Sequence, residues 1–359
     1  MDKKLIDRLT KREIEGTLRS LSFYPGMVDF FSNDYLGYAS FATPTAEGIY
    51  SGTGSRLISG NPPIAEESER ILAARFNAEA ALIFNSGYDA NLGFFSAVPQ
   101  RGDTVVYDAH VHASMRDGIR LSMARSFSFK HNDLEDLRLK LKQATGAIYI
   151  AIEGIYSMMG DQAPLIDIVA LANEFGAYIY LDEAHSAGVL GKNGAGLAVE
   201  LGVEVHIYAR LVTFGKAFGA HGACILTDEI TRTYLINFAH SFIYTTALPP
   251  EQYKRILEIV QEPGLEQRRL NLHKNRQLLH EKLGIKKNEN SPILMLCAEN
   301  RKELSSIASA LKLAKFAVKP IFHPTVPVEY EGIRVSMHAF NTKDEIERFA
   351  SMLNGLRPI

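Results

Sequence analysis

Several side chains that could do chemistry follow predicted strands, each at the point where a short apolar run ends. Asp182 ends one such run, and His185 follows it three residues later. Lys216 stands between two apolar runs and close to three glycines, which indicates a desolvated amine. Desolvation lowers the pKa of a lysine and makes it a nucleophile or a base. On this segment alone, a lysine that extends its ammonium to solvent is an equally good interpretation.

Two further strand ends carry polar side chains. His110 and His112 lie two residues apart, where an extended chain would turn them to one side. No third ligand at a metal-binding spacing completes a site, so we predict no metal. A neutral imidazole that stacks on an aromatic ligand is a better functional interpretation of His112, and the start of a helix there is equally acceptable. Glu153 and Ser157 follow another apolar run, where an ordinary polar loop would account for them.

The segment NSGYDAN, residues 85–91, is the candidate for anion binding. Gly87 lies at a predicted strand-to-helix turn, so its backbone N–H and that of Tyr88 would point out of a helix N-terminus. Such N–H groups form a natural cradle for a phosphate. The alternative is an ordinary tight turn in which Ser86 caps the helix.

Taken together, these positions match the needs of one cofactor, pyridoxal 5′-phosphate. Its aldehyde requires a lysine, its pyridine nitrogen a carboxylate that keeps it protonated, and its phosphate the N–H groups of a helix N-terminus. The candidates are Lys216, Asp182 and the turn at Gly87, with His112 to stack on the ring. In open α/β sheets, ligands bind at the carboxyl ends of the strands, where these residues are predicted to lie.

The letters DEAH at residues 182–185 are also typical of a helicase, and that alternative can be tested on the sequence. A nucleotide-hydrolysing motor needs a phosphate loop of the form GxxxxGK followed by Ser or Thr. Neither Lys192 nor Lys216 has the first glycine of this motif before it or a Ser or Thr after it. We therefore set a helicase aside.

A sheet must bring these strand ends together. Short β-rich runs alternate with segments of helical period, which indicates a mostly parallel central sheet with helices on both faces. The clearest helix, residues 164–175, begins at Pro164 and ends at Gly176, an asymmetry typical of helices. Strands are predicted at residues 81–84, 103–107, 147–152, 177–181, 207–214 and 223–227.

After residue 250 the pattern changes to a charged, helical stretch and then to a smaller α+β arrangement. A capping box from Thr342 to Glu345 begins the last helix. We predict an N-terminal segment (1–40), a large α/β domain (41–250) and a small C-terminal α+β domain (251–359). Within the small domain, strands are predicted at 292–297, 316–322 and 333–339, and a helix at 302–313.

The amino-acid composition favours a soluble globular protein over other classes. The chain has 359 residues, 46% apolar and 22% charged, with a net charge of −2, which is typical of a soluble globular protein. Nothing in this balance favours nucleic acid or an anionic membrane as a partner. The two cysteines cannot build a disulfide framework, the first residues are too charged for a signal peptide, and no apolar run could span a membrane. We expect a cytosolic protein.

Seven segments match, in order, the motifs of a known enzyme family. They are FSNDYLGYAS (31–40), GTGSRLISGN (52–61), DAHVHAS (108–114), EGIYSMMGD (153–161), LDEAHSAGVLG (181–191), TFGKAFGAHGA (213–223) and IYTTALPP (243–250). Several are weak singly, but together they are highly specific. From about residue 30 to its end the chain resembles the α-oxoamine synthases, which are pyridoxal-phosphate-dependent acyltransferases of fold type I, related to class I/II aminotransferases.

The resemblance implies a role for each matched residue. Lys216 matches the lysine that binds the cofactor covalently, Asp182 the acid paired with the pyridine nitrogen, and His112 the histidine stacked on the ring. His185 matches the group near the 3′ oxygen of the ring. Further matched cofactor contacts are Gly87, Tyr88, Ser157 and Thr213.

The resemblance also implies substrates and a homodimer with its active site at the interface. L-alanine would condense with a pimeloyl thioester, carried by coenzyme A or an acyl carrier protein. Relatives that use glycine or serine with other thioesters, an aminotransferase, and a non-catalytic protein of this fold are the alternatives. Thr325 matches a substrate contact, Arg19 a contact of the acyl substrate, and Thr245 and Thr246 residues that reach the phosphate of the neighbouring subunit.

Two stretches depart from the family pattern. Relatives commonly have an arginine just before the PTVP turn, where this chain has the sequence Phe322–His323–Pro324. Either His323 or Arg334 would then bind the carboxylate of the amino acid, or it is held differently. Ala65 and Ser68 stand where relatives usually have His and Leu. Both departures concern how the substrate is bound, and neither affects the expected cofactor.

Overall fold

The computed structural model describes residues 3–16, 18, 25–39, 51–285, 290–297 and 300–356. Arg19 therefore lies outside the described residues. The elements are, in chain order, α1 (Lys3–Ile14), β1 (Val28–Asp29), α2 (Pro63–Arg75), β2 (Ala80–Phe84), α3 (Gly87–Ala97), β3 (Thr104–Asp108), α4 (Ala113–Leu121), β4 (Arg125–Phe129), α5 (Leu134–Leu141), β5 (Ile148–Glu153), α6 (Leu165–Phe175), β6 (Tyr178–Asp182), α7 (Leu197–Glu200), β7 (Ala209–Thr213), β8 (Ala223–Thr227), α8 (Glu229–Phe238), α9 (His240–Ile243), α10 (Pro250–Val260), α11 (Leu265–Lys282), β9 (Ile293–Cys297), α12 (Arg301–Leu313), β10 (Phe316–Ala317), β11 (Lys319–Ile321), β12 (Gly332–Ser336) and α13 (Lys343–Leu356).

A seven-stranded sheet of order β2-β8-β7-β6-β5-β3-β4 lies at the centre of the fold. Strand β8 is antiparallel to both of its neighbours, and the other neighbouring pairs are parallel. All six strands predicted for this part of the chain are confirmed. The sequence missed edge strand β4, because its residues RSFSF alternate in polarity and only Phe129 is buried.

Helices cover both faces of this sheet, as the continuous apolar runs predict. Strand β6 shows the division, since Ile179 and Leu181 pack into one core and Tyr180 into the other. Helices α2, α5 and α6 contribute to the first core, and α3, α4 and α8 to the second. Helix α6 follows the predicted boundaries, with Pro164 as its N-cap and Gly176 left-handed at φ +60°.

The C-terminal part forms a smaller sheet of order β11-β12-β9, in which neighbouring strands are antiparallel. The predicted strand at 316–322 is divided into β10 and β11, and β10 pairs instead with β1. The predicted capping box of α13 is confirmed: the Thr342 N–H donates to the Glu345 carboxylate at 2.8 Å, and the Glu345 N–H to Thr342 Oγ1 at 3.3 Å. The boundaries at residues 40 and 250 stay predictions.

The topology brings the functional candidates to one edge of the large sheet. The carboxyl ends of β2, β3, β5, β6 and β7 meet there, because these strands run in one direction. The amino end of antiparallel β8 reaches the same edge, which places Lys216 in the connection from β7 to β8. In the described ranges, no helix combines the length and the apolarity that crossing a bilayer requires.

Candidate active site

A cavity of about 290 Å³ opens at this edge of the sheet. We call it the first cavity. It brings together eight of the positions that the sequence singled out, from five places in the chain: the start of α3, and the ends of β3, β5, β6 and β7 with the connections that follow them. They are Gly87, Tyr88, His112, Ser157, Asp182, His185, Thr213 and Lys216.

Lys216 is half-buried and contacts a histidine. Its Nζ lies 2.9 Å from Nε2 of His185. Burial lowers the pKa of Lys216, and the positive Arg334 acts in the same direction, whereas the carboxylates of Asp182 and Glu153 act against both. A lower pKa increases the fraction of neutral amine near neutral pH, which is the form that attacks an aldehyde or accepts a proton.

A chain of hydrogen bonds behind Lys216 determines the tautomer of His185. The amide oxygen of Asn33 accepts from Arg334 Nη2 at 3.0 Å and from the Tyr35 hydroxyl at 3.0 Å. Since the single hydroxyl proton of Tyr35 is used there, Nδ1 of His185 donates to Tyr35 Oη at 2.7 Å. Burial, with Lys216 and Arg334, holds the pKa of His185 well below its ordinary value. Neutral His185 therefore presents Nε2 as an acceptor to Lys216.

Asp182 is a buried carboxylate held by neutral groups. It accepts from Asn91 Nδ2 at 2.9 Å and from the backbone N–H of Ala184 at 2.9 Å. Asn91 is oriented in turn by the Tyr180 hydroxyl, which donates to its Oδ1 at 2.7 Å. Among the described residues no arginine, lysine or histidine forms an ion pair with Asp182. A buried carboxylate without a cation is costly, so this side chain is suited to a positively charged ligand atom.

Glu153 anchors two sides of the first cavity, a role that the sequence did not reveal. Its Oε1 accepts from the His112 backbone N–H at 2.6 Å, and its Oε2 from the Ser157 N–H at 3.2 Å. Glu153 and Asp182 are register partners at the ends of β5 and β6. Burial, and then the negative charge of Asp182, raise the pKa of Glu153 well above its ordinary value. Glu153, at the end of β5, therefore positions the backbone of His112 and of Ser157 on two sides of the cavity.

His112 combines both interpretations that its sequence allowed. It is the N-cap of α4, where its Nδ1 accepts from the Ser114 N–H at 3.2 Å. Its ring also lines the first cavity, and partial burial and the positive Lys216 lower its pKa. His112 is thus a neutral, flat ring at neutral pH, with one edge held by α4 and a face available to a ligand.

The N-terminus of α3 faces the first cavity at Gly87. Ser86 caps the helix by accepting from the Asp89 N–H at 3.0 Å. A Cβ at Gly87 would lie 2.6 Å from Cγ2 of Thr213, so only glycine allows the helix this close to β7. The predicted cradle and the predicted capped turn are therefore the same structure.

A larger cavity of about 820 Å³ adjoins the first one. We call it the second cavity. The two share His112 and Ser157 in their walls, and Thr325 lines only the second. A substrate bound in the second cavity would thus end beside the reactive groups of the first. His323 also lines the second cavity and not the first.

His110 differs from His112 in its contacts. Its ring stacks on that of His131 with 4.0 Å between centroids. His131 bridges two carboxylates, with Nδ1 2.9 Å from Asp108 and Nε2 2.6 Å from Asp161. Although burial opposes it, hydrogen bonding to both carboxylates raises the pKa of His131 to about 9. In the part of the chain that the structure describes, no group of three or more His, Cys, Asp or Glu side chains is arranged so that it could hold a metal ion.

Other predicted positions lie at the edge of the site or away from it. Thr245 Oγ1 and the carbonyl of Thr246 accept from Asn85 of the same chain, at 3.1 and 2.7 Å, and Asn85 lines the first cavity. Ala65 and Ser68 are buried on α2 and line neither cavity. These two departures from the family pattern therefore do not touch the site.

The sequence missed three polar residues that organise the site, Asn33, Tyr35 and Asn91, whereas Arg334 was already a candidate for binding the carboxylate. Asn33 and Tyr35 stood within a recognised segment, FSNDYLGYAS, but no local pattern assigned them a role. Asn91, in the first turns of α3, and Arg334, in the middle of β12, are buried polar side chains in otherwise apolar surroundings. Buried polar groups need partners, and this is the signal that could have identified Asn91.

Comparison with known proteins identifies the family of this arrangement. Residues 25–353 match the family described as aminotransferase class I and II. The 8-amino-7-oxononanoate synthase of Emericella nidulans is 37% identical, over 96% of this chain and 92% of its own length. The enzyme of the same name from Lysinibacillus sphaericus is 39% identical, over 90% of this chain and 87% of its own.

Solved structures agree on the fold. A serine palmitoyltransferase with pyridoxal phosphate superposes with a TM-score of 0.90 at 26% identity, covering 99% of this chain and 96% of its own. The 8-amino-7-oxononanoate synthase of Francisella tularensis superposes with a TM-score of 0.77 at 29% identity, covering 92% of this chain and 97% of its own. The predicted fold type, with its mostly parallel sheet and its smaller C-terminal sheet, is confirmed.

Proposed function

The chain belongs to the aminotransferase class I and II family, and on this premise we propose that it joins L-alanine to a pimeloyl thioester. The products are 8-amino-7-oxononanoate, CO₂ and the free thiol. This reaction is a step of biotin synthesis. One observation carries this proposal: two enzymes of that name are 37% and 39% identical to the chain over 96% and 90% of its length. The enzyme is an acyltransferase that depends on pyridoxal 5′-phosphate.

The residues present fit pyridoxal 5′-phosphate. Asp182 is a buried carboxylate without a cationic partner among the described residues, which suits a protonated pyridine nitrogen. The N-terminus of α3, kept open by Gly87, suits the phosphate. Lys216 would hold the aldehyde carbon, His112 would stack on the ring, and His185 would lie near the ring oxygen. Further contacts are proposed for Tyr88, Ser157 and Thr213.

When bound, the cofactor supplies a carbonyl that condenses with amines and a cationic ring that accepts an electron pair. The protein supplies the proton transfers. Because its pKa is lowered, the free amine of Lys216 takes the Cα proton of alanine and later returns a proton to the product. His185 accepts a hydrogen bond from this amine and keeps it on one side of the cavity.

Arg334 is the better candidate for binding the alanine carboxylate. It is buried, its Nη2 donates to Asn33, and its Nε donates to the backbone carbonyl of Ser157 at 2.7 Å. Both of these partners line the first cavity. His323, the other candidate, lines the second cavity instead. An arginine also offers a carboxylate a permanent charge and two parallel donors.

The acyl substrate would enter through the second cavity. Its wall contains Thr325, the predicted substrate contact, and it meets the first cavity at His112 and Ser157. A thioester carbonyl at this junction would lie within reach of the ring nitrogen Nε2 of His112, which can polarise it. Arg19 stays a predicted contact of the acyl substrate.

We also propose that the enzyme is a homodimer with the active site at its interface. The contact of Asn85 with Thr245 and Thr246 places these two threonines at the rim of the first cavity, where a neighbouring subunit could share them. Size-exclusion chromatography with light scattering tests this: a monomer of 39.8 kDa that retains full turnover would refute it. The cytosol stays the expected compartment.

Turnover of L-alanine with pimeloyl-coenzyme A, and in a second arm with the acyl carrier protein thioester, tests the proposed function. We expect one 8-amino-7-oxononanoate, detected by mass spectrometry, for each CO₂ and each free thiol. Lys216→Ala should lose turnover and the cofactor adduct that borohydride traps, whereas the exposed Lys192→Ala should retain both. The assignment of Lys216 is wrong if its alanine variant keeps both.

Condensation of serine with a long acyl thioester is the second candidate. The observation that favours it is the TM-score of 0.90 with a serine palmitoyltransferase, higher than the 0.77 with the Francisella enzyme. Overall shape is weaker support than sequence identity, which is 26% in the first case and 39% with the Lysinibacillus enzyme. The same assay with alanine, glycine and serine against pimeloyl, acetyl, succinyl and palmitoyl thioesters separates the candidates.

A further inference from the structure

The wall of the second cavity combines an apolar part with polar side chains, and a single residue of the described lining carries a permanent charge. Met158, Met159, Val326 and Val328 supply much of the apolar surface. Among the described residues that line it, none is an aspartate or a glutamate, and the only arginine is Arg116. A cavity of this kind suits a ligand that is apolar along its length and negatively charged at one end.

Arg116 has unused capacity for hydrogen bonding. Its Nη2 donates to the carbonyl of Ala109, which fastens one side of the guanidinium. Its Nε is buried and has no hydrogen-bond partner among the described residues, and none of their carboxylates forms an ion pair with Arg116. A buried guanidinium N–H without an acceptor is costly, so the arrangement calls for an acceptor supplied by a ligand.

The other titratable groups of this wall do not supply a permanent charge. Burial, together with the positive charges of His131 and Arg116, lowers the pKa of His110, which is therefore a neutral donor. Tyr156 is buried, and its pKa is raised well above the ordinary value. The remaining titratable groups that line the second cavity are His112, His323 and Tyr330.

On these grounds, and resting on the proposed function, we propose that Arg116 binds the free terminal carboxylate of the acyl chain. The second cavity is then a site for thioesters of α,ω-dicarboxylic acids rather than of simple fatty acids. The methylenes pack against the methionine and valine side chains, and the terminal carboxylate accepts hydrogen bonds from the guanidinium.

The spacing along α4 agrees with the length of such a chain. Arg116 lies four residues after His112 on the same face of the helix, a rise of about 6 Å. A seven-carbon diacid spans roughly 7–8 Å between its two carboxyl carbons, since it contains six C–C bonds of about 1.5 Å. The guanidinium folds back toward the carbonyl of Ala109, and His112 and Arg116 line the same cavity, so we expect a thioester carbon at His112 and a terminal carboxylate at Arg116 to fit within it.

The test compares two thioesters of one thiol, pimeloyl-coenzyme A and heptanoyl-coenzyme A, which differ only in the terminal carboxylate. In Arg116→Gln we expect kcat/KM for the pimeloyl thioester to fall about 10- to 100-fold, mainly through KM, because a hydrogen-bonded charge pair is lost. The heptanoyl value should change by less than about twofold, and Arg116→Lys should recover part of the pimeloyl activity. Arg120→Gln, an exposed arginine of the same helix, is the matched control and should leave both values unchanged.

The ratio of the two kcat/KM values decides the result. An equal loss with both thioesters would overturn the proposal, since Arg116 would then support the fold or the phosphates of the carrier thiol. If Arg116→Gln does not fold, Arg116→Met retains the aliphatic stem and gives the same ratio; a wild-type ratio there overturns the proposal as well. Absence of pimeloyl turnover in the wild-type enzyme would instead refute the proposed function, which is a separate outcome.

Discussion

The amine of Lys216 lies 2.9 Å from Nε2 of His185, although the two residues are 31 positions apart in the chain. The contact joins the connection after β7 to the connection after β6, which are neighbouring parallel strands. Behind His185 the hydrogen bonds continue through Tyr35 to Asn33 and Arg334. The reactive amine and the proposed carboxylate-binding arginine are thus the two ends of one network, so an alteration in its middle should affect both.

Lys216 should react as a neutral amine at lower pH than an ordinary lysine. Burial lowers its pKa from the ordinary value of 10.5, and a lower pKa means that the nucleophilic form is already present at less alkaline pH. Pulse labelling of the cofactor-free protein with an amine-specific reagent across pH, read by peptide mass spectrometry, measures this. Exposed Lys192 in the same digest is the internal reference, and equal midpoints for the two lysines would contradict the prediction.

Asp182→Asn should lower kcat by about 10- to 100-fold or more, because it removes the buried negative charge proposed to keep the cofactor ring protonated. The covalent attachment at Lys216 should persist, so the borohydride-trapped adduct remains while turnover is lost. Asp167→Asn, at an exposed position of α6, is a suitable control. A variant with an asparagine at 182 and undiminished kcat would show that this charge is not used.

Gly87→Ala should weaken cofactor binding and destabilise the protein by about 1–3 kcal/mol, the usual effect of overpacking. The added methyl would lie 2.6 Å from Cγ2 of Thr213. Thr213→Ser removes that methyl group and keeps the hydroxyl that donates to the Ala184 carbonyl at 3.4 Å. The double variant should therefore recover most of the affinity, measured by titration of the apoprotein with pyridoxal 5′-phosphate. Additive losses in the two variants would exclude this steric explanation.

Glu153→Gln should reduce both stability and kcat. The carboxyl group accepts from the N–H groups of His112 and Ser157, and a glutamine can accept from only one of them. One buried N–H is then unpaired, at a cost of about 1–3 kcal/mol. Urea unfolding and steady-state kinetics measure the two effects, with exposed Glu135→Gln as the control. Loss of stability without any change in kcat would limit Glu153 to a structural role.

His131 should stabilise the fold in a way that weakens at high pH. Its pKa is raised to about 9, so its contribution is complete below the unfolded value near 6.5 and declines as the pH rises through about 9. The difference in unfolding free energy between the wild type and His131→Asn should therefore shrink by at most about 3 kcal/mol over this interval. Urea unfolding at pH 6, 7.5 and 9.5 measures it, and a difference independent of pH would argue against a charged His131.

The sequence by itself determined the class of fold and eight of the positions that line the first cavity. Continuous apolar runs specify strands buried on both faces, and the end of each run marks where a polar group can reach a ligand. For this reason Asp182, His185 and Lys216 could be identified one strand at a time. The capping box at Thr342 is equally local, because its two partners lie three residues apart.

Only the tertiary structure decided how these strand ends are arranged around one another. The order of the strands places β5 next to β6, which makes Glu153 and Asp182 neighbours. Glu153, for which the sequence offered an ordinary polar loop, therefore lies at the end of β5 and holds two backbone N–H groups. The same holds for Arg334, which reaches Asn33 across 301 positions of the chain. Such contacts depend on how the strands pair and on the connections that cross between them, so they cannot be predicted from a short stretch of sequence. The Nε of Arg116, which has no hydrogen-bond partner among the described residues, could likewise be recognised only from the tertiary structure. A donor can be called unpaired only when the positions of the groups around it are known.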